Sequence, residues 1–165
     1  MHYQQPHAAV KHWLSAVMLA GILAWPAWAE AREVTINMQL SQYRGDGAYL
    51  AIYLTDAAGV YQQTLWVAGK KSKYYKHLSD WARGSHRRRA EYDGLTGASV
   101  TQGERLQITV DLDDALIDSG YQIRVDAAVE DMGDRPAEII VPITTEGGGQ
   151  PVYGQGYVQS LIYLF

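Results

Sequence analysis

The chain contains no cysteine, and that one absence closes several routes at once. Disulfide staples, thiolate metal sites, a cysteine nucleophile and lipoprotein anchoring are all excluded, so stability has to come from a packed core. Phenylalanine is almost missing too, with one residue against 12 Tyr and 5 Trp. The aromatic complement is therefore amphipathic, made of rings that stack on a face and hydrogen-bond at an edge, which suits strands and recognition surfaces. A nucleophile elbow, a glycine-rich phosphate loop after a strand, a helix with paired histidines and a credible catalytic triad are all lacking, so no catalytic cleft is legible. His77 and His86 lack the spacing of a metal site and read as surface residues.

The first feature that is present is an export signal. Lys11 is the only formal charge before Glu30, an apolar run extends from Trp13 to Trp25, and Pro26-Ala27-Trp28-Ala29 follows. The run is shorter than the roughly 20 residues a permanent membrane helix needs, and Ala27-x-Ala29 is a small-residue cleavage site. This predicts a signal peptide over residues 1–29, cut between Ala29 and Glu30, and a periplasmic product. Residues 30–165 then have the length of one ordinary domain able to bury its own core. Without Lys11, 13 basic residues stand against 18 acidic ones, a net charge of −5. Nucleic acid is not an expected partner of such a chain.

Hydrophobic periodicity predicts a β protein. Residues 34–40 alternate apolar and polar, the pattern of a strand with one buried face. Residues 48–55 are apolar throughout, which suits a central strand covered on both faces. Residues 60–68 form its partner, with Tyr61, Leu65 and Val67 assigned to one face and Val60, Thr64 and Trp66 to the other. Residues 104–112 alternate most cleanly, with Leu106, Ile108, Val110 and Leu112 inward. Acidic residues 113–120 read as a turn, and further strands fall at 121–130, 138–144 and 159–165. Seven strands without a βαβ rhythm predict an all-β, antiparallel sandwich of immunoglobulin-like architecture.

One segment breaks the pattern. Over residues 70–83, Tyr74, Leu78, Trp81 and Ala82 recur at helical spacing, with Ser72 as the cap and Gly84 as the stop, which predicts one short amphipathic helix covering an end of the core. Directly after it comes Ser85-His86-Arg87-Arg88-Arg89. This basic run reads either as a solvated loop or as a set of guanidiniums for a phosphate or an anionic ring, since Arg pairs with phosphate through two donors.

The stretch of most chemical interest is Asp93-Gly94-Leu95-Thr96-Gly97-Ala98-Ser99, where one hydroxyl is placed on a turn among residues too small to shield it. Taken as letters alone, Asp-Gly and Thr-Gly are also ordinary turn dipeptides. An acid three positions before Thr96, followed by Gly97, Ala98 and Ser99, resembles the acceptor motif of bacterial flavin transferases, in which the hydroxyl is joined to FMN by a phosphoester. The resemblance implies FMN, drawn from FAD, on Thr96. Asp93 would either accept turn amides or help to position the transferase's metal ion.

The order of signal peptide, Tyr53-Leu54-Thr55-Asp56 with Gly59, lysine-rich turn, short helix closing on Trp81, and Asp93 to Ser99 resembles a bacterial family of predicted periplasmic proteins, domain of unknown function 2271. In its pattern an arginine is expected where this chain has Val100. The resemblance implies a flavin transferase and a membrane-bound reductase as partners, and an electron carrier more than a stand-alone enzyme. The competing expectation is a cofactor-free β-sandwich that binds a protein or saccharide through exposed Tyr and Trp.

Overall fold

The structure is a computed structural model that describes residues 30–165, and the predicted signal peptide lies outside them. Nine strands form two sheets packed face to face: β1 (Ala31–Leu40), β2 (Tyr49–Thr55), β3 (Tyr61–Ala68), β4 (Thr96–Gly97), β5 (Arg105–Asp113), β6 (Gln122–Ala128), β7 (Arg135–Pro142), β8 (Val152–Tyr153) and β9 (Val158–Leu164). One sheet has the order β5-β1-β9-β8 and the other β4-β3-β2-β6-β7. The predicted all-β sandwich is thus the observed architecture. The seven long strands correspond to the seven read from the sequence, and β4 and β8 are two-residue additions. All pairings are antiparallel except β3 with β4, which run parallel.

The alternation of β1 and β5 explains their sheet. Val34, Ile36, Met38 and Leu40 from β1, with Ile108 and Leu112 from β5, point into the inter-sheet core and their polar neighbours face out. Strand β2 sits at the centre of the other sheet and six of its seven residues are buried, as a continuous apolar run requires. Leu50, Ile52 and Leu54 face the inter-sheet core, while Ala51 and Tyr53 face the opposite way into a second, smaller core.

That second core corrects two expectations. The cover segment does not cap an end of the sandwich; it lies on the outer face of the five-stranded sheet, where Tyr75, Leu78 and Trp81 pack on Ala51, Tyr53, Val67 and Ala128. Nor is it one helix. A 3₁₀ segment over Ser72–His77 is followed by a six-residue helix, α1 (Ser79–Gly84), and the break falls at Leu78, whose ψ of 71° is non-helical. Ser72 is the first residue of the 3₁₀ turn and caps nothing, and Tyr75 takes the buried place predicted for Tyr74. The face assignment along β3 holds for Tyr61, Val67 and Trp66 and fails at Leu65 and Thr64. Register shifts opposite Ile52/Tyr53 and Leu54/Thr55 interrupt the alternation, so Leu65 joins the inter-sheet core and Thr64 faces α1.

Asp126 on β6 fastens the cover to the sheet. Its side chain is fully buried. Oδ2 accepts the backbone N–H groups of Asp80 and Trp81, both at 2.8 Å, and Oδ1 accepts Ala137 N–H at 2.8 Å and the Tyr53 hydroxyl at 3.0 Å. The aromatic richness serves the cores more than the surface. Among the described residues Tyr153 is the one exposed tyrosine, Trp81 is fully buried and Trp66 half-buried.

Candidate functional site

Thr96 does not sit on a turn; it begins the edge strand β4. The turn is one step earlier, at Tyr92 to Leu95, closed by Leu95 N–H donating to Tyr92 O at 2.9 Å. Gly94 takes φ +80° there, a backbone state that a side chain would strain, and a methyl group at its Cα would meet nothing within 4 Å. Val67 N–H to Leu95 O (2.8 Å) and Gly69 N–H to Gly97 O (2.9 Å) then lay β4 along β3. Parallel register sets Thr96 beside Val67, so its side chain shares the outer face with the cover.

The next residue points inward. A methyl group on Gly97 would come within 2.7 Å of Trp66 Cζ2, so glycine is needed there for the strand to lie against the indole. Its smallness serves close packing of this chain.

Thr96 lines a groove of about 540 Å³ with Lys70, Ser72, Tyr75, Arg89, Tyr92 and Asp93. Its side chain is exposed, and its hydroxyl has no hydrogen-bond partner among the described residues. Tyr75 donates its hydroxyl to Gly69 O at 2.7 Å, next to Lys70, and stacks edge-on with Tyr92 at 5.2 Å. Trp81 backs both rings at 5.6 and 6.0 Å. Burial above all, helped by Tyr92 and Tyr49, pushes the Tyr75 hydroxyl pKa up, so it is a neutral donor at neutral pH.

The motif residues separate across the edge strand. Asp93 and Thr96 share the groove, whereas Ala98 and Ser99 line a neighbouring depression with Asp46, Gly47, Tyr49, Lys70, Lys71 and Glu130. Lys70 borders both. Val100, at the expected arginine position, is buried and bridges Ala48 through two backbone hydrogen bonds, so no cation belongs at that place.

The three arginines do not act as a set. Arg89 reaches the groove and lies 3.9 Å from Asp93 Oδ1, a carboxylate that accepts no turn amide. Arg88 is turned away to Glu91, at 2.7 Å. Glu91 in turn accepts the Tyr61 hydroxyl at 2.9 Å, and burial first, with that bond, pushes Tyr61 up to about 12 against the lowering by Thr64. Arg87 is exposed and does not line the groove. Its φ of 50°, after 52° at His86, makes a left-handed pair held by Ser85, whose Oγ donates to Trp81 O and accepts Arg87 N–H. The basic run is therefore a constrained turn. Lys70 and Tyr92 were not singled out from the sequence; Lys70 carried the signal of following a strand directly, but only the β3–β4 pairing brings it to Thr96.

These features define a class: a β-sandwich that presents one unpartnered threonine hydroxyl from an edge strand, between cations and aromatic rings. The chain belongs to the family of predicted periplasmic proteins known as domain of unknown function 2271, whose family model matches residues 31–160. No curated protein and no solved structure matches it. The periplasmic location is the one expected from the predicted signal peptide, and among the described residues no helix is long and apolar enough to cross a membrane.

Proposed function

We propose that the protein is an exported electron carrier whose FMN is joined by a phosphoester to Thr96 Oγ1. The observation that carries this reading is the hydroxyl itself, exposed and unpartnered in a groove that also holds two cations and two tyrosine rings. The groove suits the group. Its volume lies within the roughly 300–1,000 Å³ of small-molecule sites, Lys70 and Arg89 supply the charge a phosphodiester needs, and the space beside Gly94 is open. Tyr92 and Tyr75 would bound the ring system, and Asp93, exposed and held only by Arg89 at 3.9 Å, would serve the transferase.

In the attachment step Thr96 Oγ1 bonds to the phosphorus on the FMN side of FAD. The anhydride P–O bond breaks, AMP leaves, and the threonine proton passes to a base of the flavin transferase. No electron is transferred, and no co-reactant beyond FAD is needed. When attached, the flavin supplies one- and two-electron redox chemistry. The chain's own residues supply position and charge, between a membrane-bound reductase as donor and an extracytoplasmic acceptor.

Intact-mass measurement of the chain co-produced with a flavin transferase is expected to show the mass of FMN less one water. An unmodified mass overturns the proposal. The arginines give a finer expectation. Arg89→Gln is expected to lower the midpoint potential of the loaded protein in a redox titration at low salt, because a cation in the groove favours the more negative reduced state. Arg87→Gln, outside the groove, is expected to leave it unchanged. Equal shifts in both variants would show that Arg89 holds no special place.

A further inference from the structure

Charge in this chain is sorted by position. Residues 70–93 hold Lys70, Lys71, Lys73, Lys76, Arg83, Arg87, Arg88 and Arg89, eight of the 13 basic residues that follow residue 29, against Asp80, Glu91 and Asp93. The remainder of residues 30–165 has five basic residues against fifteen acidic ones, so a segment of +5 lies on a body of −10. All eight cations are exposed. Packing turns Tyr75, Leu78 and Trp81 inward onto the sheet, so the hydrophilic side of the cover is left outward; Lys70 and Arg89 reach the Thr96 groove, and Asp46, Glu130 and Asp134 of the body border the segment at Lys70, Lys71 and His77.

From this sorting we infer that the outward face of residues 70–93 is a docking surface for an acidic protein surface, which it steers onto Thr96. Opposite charge around a concave site raises encounter rates, typically 10- to 1,000-fold, even when net charges are alike in sign. The face fits a protein better than an anionic membrane. None of the exposed large apolar residues, Val60, Met132, Ile140, Tyr153, Leu164 and Phe165, belongs to it, so it has no wedge for a lipid interface. Its cations are also interrupted by Asp80, bound to Arg83, and Glu91, bound to Arg88. Such an interleaved pattern fixes register against a second protein and weakens attraction to a uniform anionic sheet. Naming the arriving protein as the flavin transferase rests on the reading above; the charge sorting does not.

The test uses the exported chain and a purified flavin transferase, with association measured by surface plasmon resonance and modification by intact mass, at ionic strengths from 20 to 300 mM. Association of the wild-type chain is expected to slow about tenfold across that range as the Debye length shrinks. Lys73, Lys76, Arg83 and Arg87 do not line the Thr96 groove, so replacing all four by Gln changes the field and not the groove. This variant is expected to associate about tenfold more slowly at 20 mM and to approach the wild-type rate at 300 mM. A control with Arg32, Arg44, Arg105 and Arg135 replaced by Gln carries the same change in net charge and is expected to stay within about twofold of wild type. A salt-insensitive wild-type rate, or a control as slow as the face variant, overturns the inference. So does face-dependent binding to phosphatidylglycerol vesicles with transferase association unaffected, which would make the face a membrane surface. If association depends on the face while Thr96 stays unmodified, the docking surface stands and the flavin reading fails.

Discussion

Asp126→Ala is expected to destabilise the folded chain by about 3–5 kcal/mol, the usual cost of removing one partner from a buried charged network. The reason is in what it leaves behind. Four donors, the N–H groups of Asp80, Trp81 and Ala137 and the Tyr53 hydroxyl, converge on this one carboxylate, and Tyr53 and Trp81 are buried. Each donor left without an acceptor costs about 1–3 kcal/mol, offset by no longer having to bury a carboxylate. Burial raises the Asp126 pKa, while the bonds from Ala137, Trp81 and Tyr53 pull it down. With the pKa raised overall, the folded state keeps, between the unfolded and folded pKa values, a proton that the unfolded chain has released; above that window the group is the carboxylate that the four donors hold. This group's contribution is therefore full below the ordinary aspartate range and declines as pH rises through the folded pKa. Thermal unfolding followed by circular dichroism is expected to show a fall of about 10–20 °C for Asp126→Ala at neutral pH. Tyr53→Phe removes one donor and no acceptor, and is expected to cost only about 1 kcal/mol. A midpoint for Asp126→Ala within about 3 °C of wild type would show that water replaces the carboxylate and that the cover is held by its apolar face alone.

The consequence reaches the groove. Asp126 holds the start of α1, α1 carries Trp81, and Trp81 backs Tyr75 and Tyr92. A cover released from β6 would lose the wall of the Thr96 groove, although no residue of the groove had been changed. The sequence carried a sign of this role in an acid within the apolar run Val125-Asp126-Ala127-Ala128, which a buried strand tolerates only when the carboxylate is fully bonded.

Legibility followed the range of the interactions. The alternation of β5 and the unbroken apolar run of β2 are local consequences of burial, and both strands lie where the pattern puts them. The register shifts that bring Leu65 inward depend on the fit of β3 to β2, and a period-two pattern contains nothing about them. The spacing over residues 70–83 marked Leu78 and Trp81 correctly but chose Tyr74 in place of Tyr75, because it could not show the break at Leu78, which lets Tyr75 and Trp81 meet the same sheet. The motif showed which hydroxyl was singular and not where its neighbours go. Strand alternation sends Gly97 to Trp66, and the turn at Ser85 separates Arg89 from Arg87, so residues adjacent in the chain part company in space.

Thr96→Ala is expected to abolish flavin attachment altogether, while Thr96→Ser keeps it. The chemistry needs one oxygen nucleophile, and of the two aliphatic hydroxyls that line the groove, Thr96 and Ser72, only Thr96 follows an acid three positions earlier. Ser99 is three residues away and also exposed, but it lies in the neighbouring depression, close against Gly47, and not in the Thr96 groove. It is therefore not expected to stand in, and Ser99→Ala is expected to be modified as fully as wild type. None of these changes should disturb folding, because an exposed substitution without a lost partner stays within about 0.5 kcal/mol. Loss of the added mass in Thr96→Ala, with an unchanged unfolding midpoint, would thus report chemistry and not stability. Intact mass followed by peptide mapping of the four chains separates the outcomes. A flavin-bearing peptide from Thr96→Ala modified at Ser99 would mean that the transferase reads the edge strand as a whole and selects any hydroxyl along it, which would remove Thr96 from its singular place.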